Sequence, residues 1–375
     1  MRIAIAVPAY REAPDFGGPV TKVSLLASAL AARGHTVTVL TSDLGPGRSR
    51  GFAGVRDYGD HTARYLKTFF HYRWSPAISP RELMRVPWDF DVVHVCGIRD
   101  GLSVGVTGLA LRHRTPYVVE PLGMGPARLR NKWLKAASDF ALTRPQLARA
   151  RVVIATSARE RNDLVGAFGL PNVQVRPNPL ALEATVPSQK SPSSDDAPVE
   201  VLFVGRVCET KGLDLLVQAM RELPAARLTI AGPDDGDGTR QEVERLLAQT
   251  GGDRVTMRDW VDADERDRLI AASDICVLPS RTENFGNFAV EAARGRRPVV
   301  VTNTSGVSEV LGADAMVVDP TVEGLRAGIE KLMVDPSLRA QLADAGMECV
   351  RRLDPAVVAV QQDQIYLDAI AAAKR

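Results

Sequence analysis

Two glutamates eight residues apart, Glu283 and Glu291, belong to the stretch Pro279-Ser280-Arg281-Thr282-Glu283-Asn284-Phe285-Gly286-Asn287-Phe288-Ala289-Val290-Glu291. The apolar run at 275–278 just before it predicts a buried strand, and the residues from Asn287 onward predict a helix. Glu283 is then expected in the loop at a strand's carboxyl end, with Glu291 about one turn into the next helix. Ligands of open α/β sheets collect at that edge. The helix start adds backbone N–H groups and a positive dipole end that favour an anion. A carboxylate on each side of an anion site suits a ligand with hydroxyls flanking a phosphate, and a nucleotide sugar has that shape.

A second chemical cluster lies upstream. The apolar run at 201–204 leads into Gly205-Arg206-Val207-Cys208-Glu209-Thr210-Lys211-Gly212. Glycine at a strand tip lets a ligand approach the backbone. Two cations, Arg206 and Lys211, suit a diphosphate better than a single carboxylate. Neither G-x-G-x-x-G nor G-x-x-x-x-G-K-[ST] occurs in this loop, which argues against a dinucleotide dehydrogenase and a P-loop nucleotidase. Near the N-terminus, Gly17-Gly18 precedes a predicted helix and could admit a phosphate or sugar, although paired glycines also make plain turns.

These groups need strands and helices to hold them. Strand-like runs at 3–7, 36–40, 92–95, 117–119 and 152–155 alternate with helical stretches in the first half. In the second, runs at 199–204, 227–230, 255–257, 275–278, 298–301 and 316–318 alternate with helical patterns at 213–222, 240–249, 265–272, 290–294 and 322–332. Such alternation predicts an α/β chain with two doubly wound parallel sheets facing each other across a cleft. The expected division is a first domain at 1–180, a Pro/Ser-rich linker at 181–198, a second domain at 199–354, and a helix at 355–375 that crosses back to brace the first domain.

The net charge of +2 hides an asymmetry. Residues 1–180 carry 25 Lys and Arg against 13 Asp and Glu, and the remainder carries 22 against 32. The basic half is expected to face an anionic partner, such as a phosphate-bearing acceptor or a membrane surface. No nucleic-acid motif accompanies the charge, so no nucleic-acid partner is expected. Two basic-aromatic stretches, Arg64 to Trp74 and Arg128 to Arg144, fit peripheral membrane contact, although an ordinary amphipathic helix would explain the second. Cys96, Cys208, Cys276 and Cys349 have neither metal-ligand nor disulfide spacing and are expected as buried free thiols in a reducing compartment. With no signal-peptide or spanning run, the expected location is cytoplasmic, with contact at the inner membrane face an added expectation.

Taken in order, Gly17-Gly18, Asp91-Val92-Val93-His94, Gly205-Arg206 with Lys211-Gly212, the Glu283-to-Glu291 block, Pro298-Val299-Val300 and Thr304-Ser305-Gly306 resemble the family 4 glycosyltransferases of the GT-B fold. The resemblance spans nearly the whole chain. It implies a retaining enzyme that moves a hexose-type sugar from a nucleoside-diphosphate sugar to an acceptor hydroxyl, lipid-linked or soluble. It implies no cofactor and no metal, since two protein cations do the metal's work. Arg206 and Lys211 would bind the diphosphate and stabilise the leaving phosphate. Glu283 would bind sugar hydroxyls and Glu291 ribose hydroxyls. Gly205 and the backbone of Asn284, Phe285, Gly286 and Asn287 would line the donor. Glu283-Asn284-Phe285-Gly286 and Pro121-Leu122-Gly123-Met124 resemble a subgroup of polysaccharide-assembling transferases. There the loop carries a basic residue where Leu122 stands, and Glu120 is the nearest ionisable substitute. Two other outcomes stay open: an epimerase or phosphorylase of the same architecture, and a sugar-nucleotide-binding subunit without turnover.

Overall fold

The computed structural model describes residues 1–72, 75–124, 142–182, 197–248 and 254–373. The chain divides into two compact units, Met1–Pro179 with Leu353–Arg375, and Leu180–Arg352. Most of the stretch expected as a linker lies outside the described residues, as do Arg128, Arg130, Lys132 and Lys135 of the second basic stretch.

The first unit is built on an eight-stranded sheet. Its strands are β1 (Arg2–Ala6), β2 (Thr36–Ser42), β3 (Gly54–Asp57), β4 (Thr62–Leu66), β7 (Val92–Cys96), β8 (Tyr117–Glu120), β9 (Val152–Ala155) and β10 (Val173–Val175). A separate hairpin pairs β5 (Thr68–Tyr72) with β6 (Ser75–Ile78). The sheet order is β10-β9-β8-β7-β1-β2-β4-β3, parallel except that edge strand β3 runs antiparallel to β4. Alternation along β1 sends Ile3 and Ile5 into one core and Ala4 and Ala6 into the other, as a sheet covered on both faces requires. The helix Gly18–Ala32 packs on the first of these faces with the C-terminal helix Pro355–Ala373, and Gly101–Arg112 packs on the second.

The second unit has a six-stranded, fully parallel sheet: β11 (Val199–Val204), β12 (Ala226–Ala231), β13 (Val255–Arg258), β14 (Ile275–Leu278), β15 (Val299–Thr302) and β16 (Met316–Val318). The order is β13-β12-β11-β14-β15-β16. The chain runs outward from β11 to β13 and then returns to the other side of β11 at β14. The strand order therefore reverses between β11 and β14, and a crevice opens at their carboxyl ends.

The central strands fall where the apolar runs predict them. Strands β3 and β10 at the sheet edges, β4 beside β3, and the hairpin strands β5 and β6 escaped prediction because only part of their side chains is buried and the apolar run is broken. All four cysteines are buried and free. Among the described residues no helix is long and apolar enough to cross a membrane.

Candidate active site

The two loops at the strand-order reversal of the second unit carry most of the residues singled out in the sequence. After β11 the chain runs Gly205-Arg206, then makes a tight turn over Glu209–Lys211 that Gly212 ends at φ +63°. After β14 it runs from Pro279 to Gly286, the N-cap of the helix Asn287–Arg294, where φ is +105°. A Cβ at Gly212 would lie 2.3 Å from the Pro279 carbonyl oxygen. The loops therefore touch through a contact and a backbone conformation that only glycine allows.

Side chains tie the same loops together. The Lys211 ammonium donates to the Glu283 carboxylate, and both are only partly exposed. Arg281 makes a two-pronged pair with Asp214 at 2.6 Å on each oxygen, and its backbone N–H donates to the Thr210 carbonyl at 2.9 Å. Arg206 is the most open of these groups. It reaches Asp235 at 3.1 Å and keeps 61% of its side chain exposed.

The loop after β12 supports the first loop from its other side. Val207 N–H donates to the Pro233 carbonyl at 2.8 Å, and Glu209 N–H donates to the Asp237 carboxylate at 2.9 Å. The loop after β14 is anchored in turn by β15. Thr302 and Thr304 hydroxyls donate to the Ser280 carbonyl, and Val307 N–H donates to the Phe285 carbonyl at 2.7 Å. Phe285 is buried beneath the loop, and Phe288 packs edge-on against Phe203.

Arg206, Lys211 and Glu283 are thus brought together, beside Gly205, Gly286 and the helix start at Asn287, with Asn284 in the same loop. Glu291 belongs to a neighbouring ion group. It accepts from Arg266 at 3.0 Å, while Arg294 pairs with Asp267 at 2.8 Å. Burial pushes the Glu291 carboxyl above its ordinary range, against the pull of Arg266 and Arg294. Sequence reasoning missed the partners Asp214, Arg281 and Arg266. Only the fold shows that they pair, since 67 residues separate Asp214 from Arg281.

In the first unit, Gly17 caps the helix Gly18–Ala32 at φ +81°, a conformation that favours glycine, with open space where a Cβ would point. Glu120, the nearest ionisable substitute for the basic residue missing at Leu122, is buried and paired rather than open to a ligand. It is 1% exposed and is gripped by Lys22 and by Arg176 at 2.5 Å, with His94 Nε2 3.4 Å away. A carboxylate left alone at this depth would be costly, so its burial requires the two cations Lys22 and Arg176. His94 is a buried structural residue whose Nδ1 meets the Tyr366 hydroxyl of the C-terminal helix at 2.9 Å. Burial, Arg176 and Lys22 hold its imidazole well below the usual histidine range, and burial with Arg176 brings the Lys22 ammonium down to about 7. His94, Cys96 and Glu120 have metal-ligand spacing. The buried charges of Lys22 and Arg176 beside them oppose a further cation.

Residues 17–181 match the family model of the glycosyl transferase 4-like domain, and residues 187–348 match that of glycosyl transferases group 1. Alpha-D-kanosaminyltransferase of Streptomyces kanamyceticus is 34% identical over 160 residues, 40% of each chain. The chain spans about half the length of the curated relatives it matches. Sucrose-phosphate synthase from Thermosynechococcus elongatus superposes with a TM-score of 0.79 at 22% identity, covering 99% of both chains. Anabaena HepE, solved in complex with UDP and glucose, superposes at 0.73 with 17% identity, covering 97% of this chain and 99% of its own. Two doubly wound units, one matched by the glycosyl transferase 4-like model and the other by the glycosyl transferases group 1 model, give this chain the GT-B fold.

Proposed function

We propose that the chain is a retaining, metal-independent glycosyltransferase that moves a hexose-type sugar from a nucleoside-diphosphate sugar to an acceptor hydroxyl. The observation that carries this is the convergence of Arg206, Lys211 and Glu283 on the strand-order reversal of the second unit. Arg206 and Lys211 supply the positive charge that a diphosphate needs as its bond to the sugar breaks, and the helix start at Asn287 adds backbone donors. Glu283 turns to the sugar hydroxyls once a donor draws Lys211 to its phosphates, and Glu291 receives the ribose hydroxyls. In the reaction the acceptor oxygen bonds to the anomeric carbon as that carbon leaves the phosphate oxygen. The acceptor proton passes to the departing phosphate. A neighbour of the same fold that binds UDP and glucose supports a nucleotide-sugar donor.

The test is Lys211→Ala, assayed for nucleoside diphosphate release across a panel of nucleotide sugars. Turnover should fall about 10²–10³-fold, the cost of removing one preorganised charge-stabilising donor. The melting temperature should stay close to wild type, since the lysine is partly exposed. Wild-type turnover in the variant would remove the leaving-group role.

A further inference from the structure

The hairpin of β5 and β6 leaves the carboxyl end of β4 and presents an unusual face. Phe69, Phe70 and Tyr72 are 66%, 60% and 69% exposed. The pairing of β5 with β6 slips between Thr68 and Phe70, so Phe69 is the extra residue of a bulge. A bulge interrupts the in-out alternation, which lets consecutive residues face outward. The inner face is fixed by close packing. Thr68, Pro76 and Ile78 are buried, and a Cβ at Gly101 would lie 2.8 Å from the Pro76 carbonyl oxygen. The aromatics are therefore held outward on a firm base.

Their surroundings are cationic. Arg50 donates to the Phe69 carbonyl at 3.0 Å, and Arg48 and Lys67 are exposed nearby in the chain. From Leu44 to Ile78 the described residues include five Lys and Arg and two Asp and Glu. Both acids, Asp57 and Asp60, lie about the β3–β4 turn. Asp43, which would otherwise offset this charge, is buried and accepts from Thr68 N–H. Exposed aromatics rimmed by cations match the two layers of a membrane surface, acyl chains below and anionic headgroups above.

We propose that the outward face of this hairpin docks on an anionic lipid bilayer, inserting Phe69, Phe70 and Tyr72 at the interface while Arg48, Arg50 and Lys67 meet the headgroups. This surface lies outside the donor loops and stands independently of the sugar-transfer proposal.

The full chain should co-sediment with vesicles of phosphatidylcholine and phosphatidylglycerol, bind phosphatidylcholine alone much more weakly, and release as salt rises. The F69S/F70S/Y72S variant should partition onto the anionic vesicles at least about tenfold less, the loss expected for removing buried aromatic area. A Phe70→Trp variant should gain blue-shifted emission, relative to wild type, when anionic vesicles are added. This second readout keeps the test decisive should the triple variant fold poorly. Wild-type protein that ignores the vesicles, a triple variant that binds equally well, or no blue shift from the introduced indole would overturn the proposal. Donor hydrolysis without vesicles should be the same in wild type and triple variant. A change there would instead assign the hairpin to the active site and equally overturn bilayer docking.

Discussion

Lys211 and Glu283 hold one another across the loops after β11 and β14, so each masks the charge that the other would offer a ligand. This makes the acid separable from the base. In Glu283→Gln the ammonium is released from its carboxylate partner, and the affinity for a nucleoside diphosphate without sugar should hold or rise. Sugar transfer should fall, by about 10²-fold if the carboxylate binds hydroxyls more tightly in the transition state than before it. Titration calorimetry with the diphosphate and an initial-rate assay read the two effects apart. Weaker diphosphate binding would count against Glu283 as a sugar ligand and favour a role in holding Lys211.

The loops themselves depend on backbone contacts more than on side-chain chemistry. Gly212, at φ +63° and pressed on the Pro279 carbonyl, joins the turn after β11 to the loop after β14. Gly212→Ala would have to push the loops apart while adopting a left-handed backbone. The expected cost is about 1–3 kcal/mol in denaturant unfolding, with turnover reduced more than stability, because Lys211 and Glu283 lie on opposite sides of that contact. Arg281 and Asp214 share the task. Asp214→Asn removes the charge that draws in Arg281 and should raise KM for the donor, with kcat less affected if the loop only shifts in its resting position. Steady-state kinetics checks the split.

For the molecule as a whole, the buried ions of the first unit bind stability to pH. His94 sits against Tyr366 of the C-terminal helix and beside the cations Arg176 and Lys22, and its imidazole is held well below the usual range by burial first and those charges next. The folded chain therefore refuses a proton that the unfolded chain accepts below about pH 6.5. Stability is fully present above that pH and declines as pH falls toward the folded value, by up to about 1.4 kcal/mol for each pH unit. Denaturation curves between pH 7 and pH 5 should show this slope, and His94→Gln should flatten it. An unchanged slope would move the effect to other groups.

Charged and apolar residues in one dimension were enough to disclose two largely parallel α/β sheets and the loops in which cations and carboxylates meet. Strands buried on both faces are written as unbroken apolar runs, and loops at their carboxyl ends carry the chemistry. Glu283, Arg206 and Lys211 were legible for that reason. Tertiary structure alone decided which charges meet. Glu120 lies at a strand end, as a ligand-binding acid would, yet folding delivers Lys22 and Arg176 from distant segments and removes it from solvent. Arg281 and Asp214 became partners, and Glu291 acquired Arg266, by the same means. The local pattern sets where a side chain can point, but the energy of a buried charge depends on neighbours that only the packed sheet brings within a few ångströms.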